Sequence, residues 1–138
     1  MRSQYRALSI KQPWAGLIAA GKKTLEIRSW KTNYRGEVLL LAGKGFDACE
    51  WLPLTAPFLD VRRFVGERPP LPRGCAVALA TLGNCRLMNR NDEDRALCPY
   101  SEGLFAWELF NVRPTRPVPI SGMLGLMLLT LDEPVPLL

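Results

Sequence analysis

A charged pair at strand-like spacing is the most chemically informative feature of this sequence. Glu26 and Arg28 lie two residues apart in Lys22–Ser29, where polar residues alternate with Leu25 and Ile27. Period-two alternation predicts a half-buried strand, so both charged side chains project from one face. Arg28 could offer its planar fork to a phosphate while Glu26 accepts from the amino group of a base. The alternative is a structural ion pair worth ~0–1 kcal/mol.

Lys23 is the third candidate in this segment. Strict alternation places it on the opposite face, with Leu25. It reaches Glu26 only if the strand begins irregularly after Gly21, which glycine permits. If the protein is an enzyme, Lys23 and Glu26 are the predicted catalytic residues, because a lysine with a lowered pKa can act as a base.

Further binding candidates surround this segment. Lys11 and Gln12 precede a predicted helix that begins at Pro13, and a helix N-terminus beside a lysine can bind an anion. Pro13 removes one N–H from that site, and Gln12 is a poor helix cap. Trp14 and Trp30 could stack on bases. We predict that Trp14 forms a cleft wall and that Trp30 is the best exposed tryptophan, whereas Trp107 belongs to the core.

Positive charge is concentrated near the N-terminus. The chain has 18 Lys and Arg against 13 Asp and Glu, for a net charge of +5. Residues 1–36 carry +7 of charge, so the remainder of the chain is slightly acidic. A local basic patch favours an anionic partner such as a nucleic acid, although a solvated basic surface is the alternative. The basic residues are Arg2, Arg6, Lys11, Lys22, Lys23, Arg28, Lys31 and Arg35.

Missing residue types exclude several kinds of site. There is no histidine, which excludes Ser-His-Asp and Cys-His catalysis and imidazole-bound zinc. The four cysteines include no C-x-x-C pair, so we expect buried thiols, no metal and no cofactor. No apolar run approaches the ~20 residues that cross a bilayer, and no signal peptide is evident. These features predict a cytoplasmic protein with no membrane partner.

The elements that must position these residues are short. One helix is predicted at Pro13–Ala20, and Phe46–Phe64 begins with a helical pattern that Pro53 and Pro57 interrupt. Asn89–Asp94 is expected to be an exposed loop, and the prolines of Arg113–Pro119 argue against a central strand. This pattern predicts one α+β domain over residues 1–138, a small and mostly antiparallel β-barrel with short flanking helices. The predicted strands are Arg6–Ile10, Lys22–Ser29, Glu37–Ala42, Gly74–Leu82, Leu104–Leu109 and Gly125–Leu131.

Several ordered motifs resemble one known family. Gly21–Arg28 fits the pattern G-x-K-x-x-E-x-R, the signature of the ASCH (activating signal cointegrator homology) family. The resemblance extends over about residues 6 to 130 and departs at Leu124 and Met127, where relatives often carry a polar residue and a tryptophan. It implies a PUA-like barrel with a cleft beside it and with the signature side chains near its mouth. The other matching blocks are Ser9–Ala15, Arg35-Gly36, Phe105–Leu109, Val112-Arg113 and Pro119–Leu126.

The resemblance also implies a range of functions. Most ASCH members are regarded as nucleic-acid binders, while some bacterial relatives hydrolyse acylated cytidines and others resemble ribonucleases. The hydrolytic relatives use a lysine, a threonine and a later glutamate. Glu26 stands at the threonine position here, and Thr24 is displaced from it by about 7 Å along the strand. Glu102 and Glu108 are the two candidates for the later carboxylate.

We therefore predict that a basic cleft binds RNA, single-stranded DNA or a modified nucleoside. One alternative is an enzyme of the same fold, either an amidohydrolase acting on N4-acylated cytidine or a ribonuclease. A second alternative is a protein-interaction module. The predicted binding residues are Lys11, Gln12, Trp14, Lys23, Glu26, Arg28, Trp30 and Arg35.

Overall fold

Strands predominate over short helices in this chain, and the predicted α+β class is confirmed. The structure is a computed structural model that describes residues 3–66 and 71–138. Arg2 and part of the proline-rich segment before Arg73 therefore lie outside the described residues. The elements are β1 (Ser3–Gln12), α1 (Trp14–Ala19), β2 (Leu25–Arg28), β3 (Gly36–Phe46), α2 (Phe58–Gly66), β4 (Cys75–Leu87), a 3-10 turn (Arg90–Asp92), α3 (Glu93–Ala96), β5 (Phe105–Pro119) and β6 (Leu126–Leu131).

The six strands form one sheet in the order β2-β5-β4-β3-β1-β6. Strands β1 and β3 are parallel and the other neighbouring pairs are antiparallel, so the mostly antiparallel prediction is confirmed. Helix α1 and strand β2 lie in the connection between the two parallel strands. No ladder joins β2 to β6 within residues 3–66 and 71–138, and closure into a barrel stays a prediction.

The middle of the sheet is buried on both faces, as its apolar runs predict. In β3, Val38 and Leu40 pack into a core cluster that includes Trp107 of β5. The intervening Leu39 and Leu41 pack into a second cluster on the other face, together with Tyr5 of β1. The prediction that Trp107 belongs to the core is confirmed, since its side chain is fully buried. The middle of the sheet is therefore apolar on both faces.

Strand β5 continues through the proline-rich segment Arg113–Pro119, although the sequence predicted a strand that ends at Leu109. Strand β2 pairs with β5 only over Phe105–Glu108. Beyond Leu109, on the side away from β4, β5 exchanges backbone hydrogen bonds with the C-terminal segment, where Arg116 N donates to the Pro136 carbonyl (2.9 Å). Register shifts also interrupt the ladder with β4. Prolines are tolerated because this half of β5 lies at a local edge and beside bulges.

Two further segments differ from the predictions. Residues 89–94 are mostly exposed, as predicted, but they form the 3-10 turn and the start of α3 instead of a loop, and Asp92 is buried. The carboxylate tolerates burial because Asp92 accepts hydrogen bonds from Arg86 and from the backbone N–H of Asn89. The helical pattern after Phe46 is also wrong, because helix α2 begins only at Phe58, directly after Pro57.

The cysteines and helices add two findings. All four cysteines are free, and Cys49 and Cys75 are buried, whereas Cys85 and Cys98 are half-buried. Among the residues that the structure describes, no helix has both the length and the apolar character needed to cross a membrane.

Candidate functional site

A cleft of about 640 Å³ opens where β1, β2 and the loops that follow α1, β3, α3 and β5 meet. Its volume lies within the ~300–1,000 Å³ range of small-ligand sites. Five of the predicted binding residues line it: Lys11, Trp14, Lys23, Glu26 and Arg28. The other lining residues are Ser9, Ile10, Ile27, Gly43, Trp51, Cys98, Pro99, Ser101, Leu104, Met123, Leu124 and Gly125.

Glu26 and Arg28 share one face of β2, as their spacing predicts. Arg28 Nε donates to Glu26 Oε2 (3.1 Å), and Arg28 Nη2 donates to the carbonyl oxygen of Ser9 on β1 (2.6 Å). The Arg28 side chain is 23% exposed, and the Glu26 carboxylate is more deeply buried. These contacts fix the guanidinium at the cleft surface, where its fork can meet an anion.

Lys23 reaches the same carboxylate because β2 begins late. After α1 the chain turns through Gly21 (φ 78°), and the backbone N–H groups of Lys22 and Lys23 both donate to the Leu17 carbonyl. The ladder starts only at Leu25, so strict alternation does not apply to Lys23. A positive φ suits glycine, which makes this irregular start possible.

The Lys23 ammonium group is almost completely enclosed. The residue is 3% exposed, and its Nζ donates to the Ala96 carbonyl and lies 4.0 Å from Glu26 Oε1. The same nitrogen lies 5.1 Å from the centroid of the Trp14 ring. Burial lowers the pKa of Lys23, and neighbouring Arg28 acts in the same direction, while Glu26 opposes the shift. Lys23 therefore links the ion pair to the aromatic wall.

The loop after α3 forms a side of the cleft that the sequence analysis missed. Helix α3 ends at Ala96, the next residue Leu97 has a left-handed backbone (φ 55°), and Cys98 then lines the cleft. Burial raises the pKa of the Cys98 thiol, although the nearby Lys23 acts in the opposite direction. This side depends on tertiary placement, because no charge or motif in the sequence marks it.

Two indoles, Trp14 and Trp51, line another part of the cleft, and the Asp47 carboxylate joins them. Asp47 accepts from the indole N–H of Trp14 (3.2 Å) and from that of Trp51 (3.0 and 2.9 Å). The two ring centroids are 6.3 Å apart at an interplanar angle of 50°. Burial favours a higher pKa for Asp47, but hydrogen bonds from the Cys49 N–H, Trp51 and Trp14 outweigh it and lower the pKa. The sequence did not predict Asp47 or Trp51 as site residues, because the pattern after Phe46 placed Trp51 on the apolar face of a helix.

Three predicted binding residues do not line the cleft. Gln12 is fully buried, where its amide donates to the Pro72 carbonyl (2.7 Å) and accepts from the Gly16 N–H (2.8 Å). Its side chain therefore satisfies one N–H of the first turn of α1, a capping contact that the sequence did not predict. Trp30 packs edge-on against Trp107 at 4.8 Å, so it is not the exposed platform that was predicted.

Arg35 is the third residue outside the cleft. Its Nη1 donates to the carbonyl oxygens of Thr32 (2.9 Å) and Tyr34 (2.8 Å), which places it in the loop before β3. Leu124, one of the two positions that depart from the family pattern, lines the cleft and is 89% exposed. Met127, the other such position, is exposed on β6 and does not line it.

The candidate partners for acyl transfer also lie outside the cleft. Thr24 Oγ1 accepts from Arg95 Nε (3.2 Å) and does not line the cleft. Glu108 accepts from Arg86 Nε (2.6 Å), and Glu102 is exposed on a loop, so neither carboxylate lines the cleft. Lys23 and Glu26 are the two hydrolase candidates that the fold brings together.

Comparison with known proteins identifies the family. The family model of the ASCH domain matches residues 8–119, and the chain belongs to this family. Activating signal cointegrator 1 of Mus musculus is 38% identical over 80 residues, and its Homo sapiens counterpart is 36% identical. Each match covers 56% of this chain but only 14% of the relative.

Solved structures show the same fold at low sequence identity. The crystal structure of ASCH from Zymomonas mobilis matches with a TM-score of 0.54 and 17% identity, covering 83% of this chain and 73% of that chain. A mutant of the same protein matches with a TM-score of 0.53, also at 17% identity, covering 83% of this chain and 75% of that chain. This similarity shows that the two proteins share a fold.

Proposed function

We propose that the cleft binds RNA, single-stranded DNA or a modified nucleoside. The observation that carries this proposal is the meeting of two kinds of group in one cleft: an enclosed Lys23–Glu26–Arg28 cluster and the indoles of Trp14 and Trp51. Membership of the ASCH family supports the same conclusion.

Each group has a distinct role in this proposal. Arg28 and the exposed Lys11 attract phosphate, and the Glu26 carboxylate accepts from an exocyclic amino group of a base. The two indoles provide faces on which a base can stack. Because these contacts need unpaired and unstacked bases, a single strand is the preferred ligand over a duplex.

An amidohydrolase acting on N4-acylated cytidine is the second candidate. The observation that favours it is the burial of Lys23 beside Glu26, together with its lowered pKa. At a given pH, more of the Lys23 amine is unprotonated than in an ordinary lysine, and the unprotonated amine is the form that acts as a base. Against it, the hydroxyl of Thr24 and the carboxylates of Glu102 and Glu108 lie outside the cleft. A ribonuclease would need the same two residues, Lys23 and Glu26, as its acid–base pair.

A titration with three matched nucleic acids tests the binding proposal. Single-stranded RNA, single-stranded DNA and duplex of one sequence are added at two salt concentrations. We expect the single strands to bind more tightly than the duplex, with affinity falling as salt rises. Arg28→Glu should abolish binding, whereas Lys22→Glu, an exposed lysine outside the cleft, is the matched control.

Two outcomes would contradict the proposal. If binding is absent or insensitive to salt, the basic cleft does not bind nucleic acid. If binding survives Arg28→Glu, a protein-interaction module is the better interpretation. Incubation with N4-acetylcytidine forms a further arm, in which we expect no turnover. Turnover that disappears in both Lys23→Met and Glu26→Gln would establish an amidohydrolase instead.

A further inference from the structure

Trp51 is fixed in place although it is largely exposed. The residue has 57% of its surface in solvent. Its indole N–H nevertheless donates to both oxygens of Asp47, at 3.0 and 2.9 Å. Holding a large side chain at the surface costs conformational entropy, and the charge-assisted hydrogen bonds offset that cost. The result is a preorganised aromatic ring that adds little to the core.

Trp51 continues a line of contacts that begins at the charged cluster. Lys23 Nζ lies 5.1 Å from the Trp14 centroid, and the Trp14 ring lies 6.3 Å from that of Trp51. Asp47 joins the two indoles. The cleft therefore has two distinct stations: the charged cluster at β2 and an outer station formed by Trp14, Asp47 and Trp51.

Two basic side chains, Lys11 and Arg73, lie against residues 44–46, which lead into Asp47. The alkyl part of Lys11 packs against Gly45. A Cβ atom at position 45 would lie 3.1 Å from Lys11 Cγ, so a larger residue there would push the lysine side chain aside. Arg73 donates to the Lys44 carbonyl (3.2 Å) and lies 6.0 Å from the ring centroid of the exposed Phe46, the residue before Asp47. Cations interleaved with exposed aromatic rings are typical of surfaces that track a single strand.

We propose that Trp51 is a base-stacking platform and that the ligand is a single-stranded oligonucleotide of at least two nucleotides. One nucleotide occupies the charged cluster and its neighbour stacks on Trp51. The basic side chains Lys11 and Arg73 contact the phosphates. This inference rests on the proposed nucleic-acid function and selects a polynucleotide over a free nucleoside. Trp51 and Asp47 lie outside the G-x-K-x-x-E-x-R signature.

A length series of ligands tests the proposal. The affinities of the four 5′-mononucleotides and of mixed-sequence RNA dimers and tetramers are measured for the unmodified protein, Trp51→Ala and Trp51→Phe. Phe110→Ala is the matched control, because Phe110 is exposed to a similar degree and does not line the cleft. Stacking of one base on an aromatic ring corresponds to about a 5- to 150-fold change in affinity.

The expected result is a selective loss. Trp51→Ala should weaken tetramer binding by that factor and change mononucleotide binding less than twofold, while Trp51→Phe and Phe110→Ala retain most of the tetramer affinity. Quenching of tryptophan fluorescence by the tetramer should be smaller in Trp51→Phe than in the unmodified protein, which decides the matter if Trp51→Ala fails to fold. Equal tetramer affinity and equal quenching with and without Trp51 would overturn the platform but leave the proposed function intact. Absence of binding to every ligand would overturn both.

Discussion

Lys23 and Arg28 contact the same carboxylate, but their environments give them different roles. Lys23 is almost fully buried in the wall of the cleft and donates a hydrogen bond to the Ala96 carbonyl, whereas Arg28 reaches the cleft surface. The sequence places both cations among the predicted binding residues. Burial makes their roles different. Removing the enclosed Lys23 donor leaves its buried acceptors without a protein partner and without water, which costs stability.

We expect Lys23→Ala to reduce the free energy of unfolding by about 1–3 kcal/mol, because the Ala96 carbonyl and Glu26 lose a buried partner. Arg28→Ala should cost less stability and should weaken nucleic-acid binding by about 1–3 kcal/mol, as the loss of a charge-assisted contact does. Urea unfolding and a binding titration of both variants measure the two quantities. Equal stability of Lys23→Ala and the unmodified protein would contradict the structural role of Lys23.

At the scale of elements, the segment from Asn89 to Ala96 helps to fix the position of Lys23. Asp92 closes a capping box with Asn89 and pairs with Arg86 of β4 (2.7 Å). Helix α3, which follows directly, carries the carbonyl oxygen that Lys23 contacts. An acidic stretch that looks like a solvated loop is therefore the support of the charged cluster.

This arrangement predicts how stability depends on pH. Hydrogen bonding to Arg86 holds the pKa of Asp92 below its ordinary value of 3.8, although burial opposes the shift. The unfolded state then binds the proton more readily, so this stabilisation is present above about pH 4–5 and is lost as the pH falls through the folded-state pKa. Asp92→Asn should lower stability at pH 7 by about 1–3 kcal/mol and flatten the loss in acid.

Thermal unfolding from pH 7 to pH 3 measures this effect. Asp94→Asn is the matched control, because Asp94 is an exposed carboxylate two residues away. The loss of stability of Asp94→Asn between pH 7 and pH 3, which we call its acid limb, should match that of the unmodified protein. If the limb of Asp92→Asn is as steep as that of Asp94→Asn, the pairing with Arg86 does not carry the pH dependence.

Over the whole molecule, positive charge is unevenly distributed, with +7 in residues 1–36 against +5 for the chain. The structure divides these cations by location. Lys11, Lys23 and Arg28 line the cleft, whereas Lys22 and Arg35 do not. A long-range field from all of them attracts a polyanion, but only cations that contact phosphate release counterions.

The salt dependence of binding should resolve this division. For a single strand, each phosphate contact contributes about 0.7 to the slope of log affinity against log salt. Lys11→Ala should therefore reduce the slope by about 0.7, whereas Lys22→Ala should leave it unchanged. Titrations at four salt concentrations give the slopes. A uniform reduction in both variants would mean that net charge, not the cleft, governs binding.

Local patterns in the sequence determined a substantial part of this protein. Alternation along Lys22–Ser29 gives the shared face of Glu26 and Arg28, and continuous apolar runs give strands buried on both faces. The G-x-K-x-x-E-x-R signature and its neighbouring blocks identify the ASCH family, which the family model confirms. These features depend on residues close together in the chain, where backbone periodicity alone sets direction.

Only the tertiary structure decided which candidates meet. Gln12 bonds to Pro72, 60 residues away, and Lys23 bonds to Ala96, 73 residues away. Such contacts bury one candidate in the core and enclose the other beneath the cleft. Asp47 and Trp51 join the site because a loop returns to Trp14, 33 residues before Asp47. Local periodicity gives the direction of a side chain, but the partner that it meets depends on how distant segments pack.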